Sequence, residues 1–139
     1  MESFLAWCRE HMYQIYLHQG DKMVTFSNCN ITTDLFKWKN YHLSSVLVLD
    51  QDEKRLSEYK TMNREMQLEY RFSNCVDAEN LIKNKILHVP QSVNVFNLQP
   101  VQKNINNDMV SWMHYILKND GYVLATCLNS EKQEIILIN

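Results

Sequence analysis

Glycine is scarce in this chain, which has only Gly20 and Gly121 among its 139 residues. Loops that cradle phosphate groups, such as G-x-G-x-x-G and G-x-x-x-x-G-K-[ST], need several glycines so that the backbone can approach the ligand closely. The nucleophile elbow of hydrolases, G-x-S-x-G, needs two closely spaced glycines. None of these signatures can be present. The usual signatures of most nucleotide-binding and hydrolase folds are therefore excluded, and function has to be argued from other residues.

The composition is that of a folded chain rather than a disordered one. Hydrophobic residues make up 45% and charged residues 22% of the sequence, and the formal net charge is -2. A chain of this length is normally one domain, so residues 1–139 are expected to form a single globular domain. The nearly balanced charge does not predict an extended surface for binding phosphates.

The cysteines and the amino terminus point to a reducing compartment. Cys8, Cys29, Cys75 and Cys127 are far apart and include no C-x-x-C pair, so reduced and mostly buried thiols are expected rather than a zinc site. The first residues lack the basic segment and the long apolar segment of a signal peptide. No apolar run approaches the length of a membrane span. We therefore predict a cytoplasmic protein that does not bind membranes.

Apolar periodicity predicts alternating helices and strands along the whole chain. Helices are expected over 4–16, 31–38, 51–63, 76–87 and 105–117, with Gly121 terminating the last one, and strands over 23–29, 45–50, 66–72, 92–98, 122–128 and 133–138. The run 45–50 is continuously apolar, as in a strand buried on both faces. The predicted architecture is α/β (α+β), with one mixed sheet of about five or six strands flanked by helices and a C-terminal β-hairpin.

An acidic set is the best candidate for catalysis. Asp50 ends a buried strand, and the two-residue period of the next predicted strand places Glu69 and Arg71 on one face. If these strands pair, two carboxylates and a cation converge. Carboxylates of this kind bind Mg²⁺, which activates water for phosphodiester hydrolysis.

These residues resemble the D…[DE]-x-K signature of the PD-(D/E)xK nucleases, with Arg71 in place of the lysine. The predicted element order over 4–98 is similar to the core of that family. The resemblance implies a Mg²⁺-dependent nuclease with Asp50 and Glu69 as metal ligands and Glu10 and Lys83 or Lys85 in support. The alternative interpretation is that Asp50 caps the following helix and that Glu69 and Arg71 lie on the solvated face of an ordinary strand.

A second cluster mixes aromatic and basic side chains within a short segment. Aromatic rings can stack on unpaired bases while lysines meet phosphates. The same residues could form a protein-binding hot spot, or the aromatic rings could anchor a short helix in the core. The candidate binding residues are Phe36, Lys37, Trp38, Lys39, Tyr41 and His42.

The absence of a complete catalytic set favours a small non-enzymatic protein that acts by binding another protein. Host-modulating proteins of viruses or phages and immunity or inhibitor proteins are of this type, and the abundance of Asn and Met is common in AT-rich viral and phage genes. The alternatives are the Mg²⁺-dependent nuclease and a nucleic-acid-binding module. No cofactor is expected apart from Mg²⁺ in the nuclease. The edge of the hairpin could also pair with a second copy to form a homodimer.

Overall fold

A computed structural model describes residues 2–26, 31–74, 91–98, 107–128 and 133–138 of the chain. The predicted helix over 76–87 lies outside these ranges. The described helices are α1 (Glu2–Tyr16), α2 (Ile31–Asn40), α3 (Glu53–Glu65) and α4 (Asn107–Ile116). The described strands are β1 (Lys22–Phe26), β2 (Ser45–Leu49), β3 (Arg71–Ser73), β4 (Val93–Leu98), β5 (Leu117–Leu128) and β6 (Gln133–Ile138).

The described strands form one sheet in the order β3-β2-β1-β4-β5-β6. The five strands β1 to β5 all run parallel to one another. Strand β6 pairs antiparallel with β5. The predicted α/β class with one sheet flanked by helices is confirmed, but the expectation of a mixed sheet understated how much of it is parallel. Residues 129–132, which would close the predicted hairpin, lie outside the described residues.

Strands β1 and β2 are buried on both faces of the sheet, as parallel strands between helices normally are. On one face, alternate strand residues pack against α4 through Met109, Trp112, Met113 and Ile116. On the other face, the intervening residues pack against α1, α2 and α3 through Met12, Tyr13, Leu35, Trp38 and Tyr59. The two apolar clusters therefore hold the helices on opposite faces of the sheet. The amino ends of the parallel strands lie along one edge of the sheet, and their carboxyl ends lie along the other.

The predicted strand over 66–72 is largely wrong, because only Arg71–Ser73 forms a strand. The side-chain amide of Asn63 in α3 donates to the Leu68 carbonyl at 2.9 Å and its oxygen accepts from the Tyr70 amide at 3.4 Å. Gln67 adopts a left-handed conformation with φ 57°. The apolar residues of this loop alternate because they pack against the core, and the alternation mimics the pattern of a paired strand.

Gly121 does not terminate a helix, because α4 ends at Ile116 and Gly121 lies inside β5. The pairing of β4 with β5 shifts between Val93 and Val95, opposite this part of β5. A Cβ atom at Gly121 would lie 2.8 Å from the Asn94 carbonyl oxygen and 2.7 Å from Leu117 Cδ1. The irregular start of β5 therefore requires a residue without a side chain.

We expect Gly121→Ala to lower the free energy of unfolding by about 1–3 kcal/mol, since the added methyl group meets a backbone carbonyl that cannot turn away. Urea unfolding followed by circular dichroism measures this change. The matched control is Gly20→Asn, because Gly20 has φ +86° with no atom within 4 Å of a Cβ and Asn tolerates the left-handed region. An Ala variant at position 121 as stable as the natural chain would contradict the close approach.

The described cysteine and the described helices bear on the predictions of buried thiols and of no membrane span. Cys8 is a free and buried thiol, and burial raises its pKa above the ordinary value; the side chains of Cys29, Cys75 and Cys127 lie outside the described residues. Among the helices that the structure describes, none is long and apolar enough to cross a bilayer.

Candidate functional site

The strand order places a topological switch point between β1 and β4. The chain leaves β1 toward β2 on one side of it, whereas β4 and β5 lie on the other side. In open parallel sheets, ligands bind in the crevice outside the carboxyl ends of the strands at such a point. Residues 27–30 after β1 and 99–106 after β4 lie outside the described residues. The described part of this edge includes the last residues of β1 and β4, the ends of β2 and β3, and the start of α3.

Asp50 is the first residue after β2 and is only 4% exposed. Its Oδ2 accepts a hydrogen bond from Arg55 Nε. Its Oδ1 accepts from Arg55 Nη2 at 3.1 Å and from the Asp52 backbone amide at 2.9 Å. Hydrogen bonding to Asp50 raises the pKa of Arg55 above its ordinary value. One guanidinium group therefore binds both oxygens of the Asp50 carboxylate and orients it.

The backbone around Asp50 holds this carboxylate at the edge of the sheet. The Asp50 amide donates to the Ser73 carbonyl at 3.0 Å, which joins the end of β2 to the end of β3. The expectation that Asp50 caps the following helix is wrong, because the N-cap is Asp52, whose side chain accepts from the amides of Lys54 and Arg55. Asp50 is thus free of the capping role that the sequence suggested for it.

A cavity of about 380 Å³ lies beside this edge, between α3 and the end of β3. Its apolar lining includes Leu56 and Phe72, and its polar lining includes Glu53 and Asn74. The Asn74 side-chain amide donates to Glu53 Oε1 at 2.9 Å. A lining that combines polar side chains with the apolar Leu56 and Phe72 suits a flat heterocyclic ring with polar edges.

A second polar cluster, which sequence reasoning missed, lies near the switch point itself. Thr25 of β1 and Asn97 of β4 are paired in register, and each is one residue before the end of its strand. Asn97 Nδ2 donates to Tyr13 Oη of α1 at 2.9 Å and to Thr25 Oγ1 at 3.0 Å. All three side chains are at most 1% exposed. The only signal in the sequence is a polar residue inside each of two apolar strand patterns.

The predicted acidic set does not converge. Arg71 is paired with Leu47, which is three residues before Asp50, and Glu69 precedes Arg71 by two residues. Because the strands are parallel, Asp50 and Arg71 lie about three residues apart along the sheet, or roughly 10 Å, and Glu69 lies in the loop before β3, on the side of Arg71 away from Asp50. In the described part of the chain, no three His, Cys, Asp or Glu side chains are grouped as metal ligands would be. The Mg²⁺ site built from Asp50 and Glu69 is therefore wrong.

The residues that were to support this metal site are no closer to it. Glu10 forms an ion pair with Lys37, joining α1 to α2 at 2.8 Å. Lys83 and Lys85 lie outside the described residues.

The aromatic and basic cluster of α2 is divided between the core and the surface. Trp38 is 1% exposed, so its expected role as a surface contact is wrong, whereas Phe36 is 49% exposed. Tyr41 is half-buried, and its phenol has a raised pKa because of burial and the nearby Glu10 carboxylate. Lys39 and His42 are exposed. A binding role for the residues other than Trp38 stays a prediction.

Neither a protein-family model nor a curated protein matches the chain. Solved structures match its fold. The YcgJ protein from Bacillus subtilis is 14% identical with a TM-score of 0.66, over 88% of this chain and 50% of its own. A SAM-dependent methyltransferase from Aquifex aeolicus is 11% identical with a TM-score of 0.66, over 91% of this chain and 66% of its own. An rRNA methylase from Streptococcus thermophilus is 13% identical with a TM-score of 0.62, over 88% of this chain and 71% of its own.

The chain thus spans between 50% and 71% of the length of these proteins. The likeness contradicts the prediction of a small non-enzymatic binding protein of viral, phage, immunity or inhibitor type, because the matching structures include methyltransferases. The described sheet has an α/β fold with five parallel strands flanked by helices, and this fold is similar to those of the matching structures.

Proposed function

We propose that this chain binds S-adenosylmethionine at the carboxyl edge of its sheet and belongs to a methyltransferase that uses this donor. The observation that carries the proposal is the buried carboxylate of Asp50 at the carboxyl end of β2, next to the switch point. In nucleotide-binding sheets of related topology, an acidic residue after the second strand accepts hydrogen bonds from the ribose hydroxyls. Asp50 occupies the corresponding place in this sheet.

The described residues fit the nucleoside half of the donor. The Asp50 carboxylate is an acceptor for ribose hydroxyls, the Asn74 amide can bind the polar edge of a base, and Leu56 and Phe72 can contact its ring. The connection after β1 reads Ser-Asn-Cys-Asn at 27–30 and has no glycine. The methionine half is therefore held, in this proposal, without the glycine-dependent close approach that such folds often use.

Bound S-adenosylmethionine supplies an electrophilic methyl group on a sulfonium. The residues at this edge hold and orient the nucleoside rather than exchange protons with it. Asp50 is fixed in direction through the Asp52 amide and through the link of its own amide to Ser73. A fixed carboxylate binds a ribose with less loss of side-chain entropy than a mobile one, because its rotamer is already set in the folded chain.

Calorimetric titration of the full chain with S-adenosylmethionine and with S-adenosylhomocysteine tests this proposal. We expect saturable binding of both, and we expect Asp50→Asn to weaken it by about 10- to 100-fold, because a hydrogen bond to a charged group contributes about 1.5–3 kcal/mol. Glu58→Gln is the matched control, since Glu58 is an exposed acid on α3, the helix that follows Asp50. Circular dichroism verifies that each variant is folded.

Two results would contradict the proposal. One is the absence of binding at millimolar concentrations of either ligand. The other is equal affinity of the natural chain and the Asp50→Asn variant. Thermal unfolding gives an independent readout, because a ligand at 100 times its Kd stabilises the folded state by about 2.7 kcal/mol.

A further inference from the structure

Arg55 occupies half of the hydrogen-bonding capacity of the Asp50 carboxylate, and the Asp52 amide occupies a further part. A carboxylate has about four acceptor positions, two on each oxygen. Oδ1 already accepts from Arg55 Nη2 and from the Asp52 amide, and Oδ2 accepts from Arg55 Nε. One position is left on Oδ2. The two neighbouring hydroxyls of a ribose need two acceptor positions, so a ribose and the Arg55 guanidinium cannot both be fully bound.

We infer that Arg55 determines the affinity of the site by competing with the ribose hydroxyls of the nucleoside for Asp50. The inference rests on the proposed binding of S-adenosylmethionine. In the chain without ligand, Arg55 pairs the buried charge of Asp50, which would otherwise be left uncompensated at a large energetic penalty. When a nucleoside binds, its hydroxyls replace the guanidinium, and Arg55 turns toward solvent.

The structure allows this exchange with little other movement. The side chain of Asp50 is 3% exposed, whereas that of Arg55 is 34% exposed, so the guanidinium already borders solvent. The Asp52 amide and the backbone link to Ser73 hold Asp50 independently of Arg55. The negative charge of Asp52 also attracts the Arg55 guanidinium. Arg55 can therefore leave Asp50 without releasing the carboxylate from its position.

A positioning role makes the opposite prediction about affinity. If Arg55 only oriented Asp50 for the ligand, removing the guanidinium would weaken nucleoside binding. If Arg55 competes with the ligand, removing it strengthens binding, and the gain depends on the ribose hydroxyls. The sign of the change and its dependence on the hydroxyls therefore separate the two roles.

The test compares Arg55→Ala and Arg55→Gln with the natural full chain by calorimetric titration, with S-adenosylhomocysteine, adenosine and 2′,3′-dideoxyadenosine as probes. We expect Arg55→Ala to bind S-adenosylhomocysteine and adenosine about 10-fold more tightly. Arg55→Gln should show a smaller gain than Arg55→Ala, because its neutral amide still donates to Asp50, although less strongly than the guanidinium does. No gain is expected with 2′,3′-dideoxyadenosine. Arg64→Ala, which removes an exposed cation from the last turn of α3, is the matched control.

The outcomes separate this inference from the proposed function. If the natural chain binds the probes and both Arg55 variants bind them with equal or lower affinity, the competition is overturned and the proposed function stands. An equal gain with the dideoxy probe also overturns it. If neither the natural chain nor any folded variant binds S-adenosylhomocysteine or adenosine, the inference and the proposed function are both wrong. Arg55→Gln retains a hydrogen-bond donor near Asp50 and supplies the answer if Arg55→Ala does not fold.

Discussion

Trp38→Ala is expected to lower the free energy of unfolding by about 3–5 kcal/mol, the range for truncating a large aromatic side chain in a core. The Trp38 indole is 1% exposed. It stacks on Tyr59 of α3 with ring centroids 6.3 Å apart and meets the edge of Tyr70 at 6.1 Å. Its Nε1 also donates to Tyr13 Oη at 3.4 Å. The substitution removes the contacts that join three helices and leaves a cavity between them.

Phe36→Ala is the matched control, because it truncates an aromatic residue of the same helix that is 49% exposed. We expect a change within about 0.5 kcal/mol, as for most surface substitutions. Urea unfolding followed by far-ultraviolet circular dichroism suits both variants, since it does not depend on tryptophan fluorescence. If Phe36→Ala destabilised the chain more than Trp38→Ala, the face of α2 that packs on the sheet would be assigned incorrectly.

The helical geometry of α2 explains why neighbouring residues of the aromatic and basic cluster differ in burial. Leu35 and Trp38 are three residues apart and share the buried face of α2, whereas Phe36 points away from it. The helical period alone predicts this division. Treating residues 36–42 as one aromatic and basic surface gave the run of similar residue types more weight than their spacing. Spacing is the better guide wherever a helix is predicted.

Local patterns predicted most of the elements, but they could not predict how the strands pair. Helix α1 and strands β2 and β4 match their expected ranges closely, because each depends on apolar periodicity within its own segment. The strand order and the parallel pairing depend on contacts between distant segments. For that reason the sequence suggested that Asp50 and Glu69 would meet, whereas the parallel register of β2 and β3 places them far apart.

The scarcity of glycine excludes the glycine-rich phosphate-binding motifs, but it does not exclude the parallel α/β fold in which such motifs usually occur. Glycine-rich turns allow the backbone to approach a ligand, but they do not hold the sheet together. The sheet depends on the apolar strands and the helices that cover them, and this chain has both. The part of the site that sequence analysis did locate is Asp50, which it identified by its place after a buried strand and to which it assigned the wrong chemistry.

Asn97→Asp is expected to lower the free energy of unfolding by about 3–5 kcal/mol at pH 7, since it places a carboxylate without a charged partner in a dry site. Asn97 is fully buried, and its amide donates to Tyr13 Oη and Thr25 Oγ1. A carboxylate of the same shape can only accept hydrogen bonds, so both contacts have to reverse, with the Tyr13 and Thr25 hydroxyls donating to it. The cluster near the switch point would then have to rearrange the bonds that join α1 to the two central strands.

This loss should depend on pH in a defined direction. Burial raises the pKa of the new carboxyl group in the folded state above the ordinary value of about 3.9 that it keeps in the unfolded chain. The folded state therefore binds the proton more tightly, and the variant is closest to the natural chain below about pH 4. As the pH rises toward the raised pKa, the variant loses stability relative to the natural chain by about 1.4 kcal/mol for each pH unit.

Urea unfolding of both chains at several pH values between 5 and 8 measures this difference. Asn119→Asp is the matched control, because Asn119 is exposed and its side-chain oxygen serves as an acceptor for Gln91 Nε2. A carboxylate can keep that role in water, so the control should follow the natural chain at every pH. An Asn97→Asp variant that also follows it, with a loss below about 1 kcal/mol, would mean that water reaches the carboxyl ends of β1 and β4 on this face. The polar cluster would then be an open part of the site rather than a dry support beneath it.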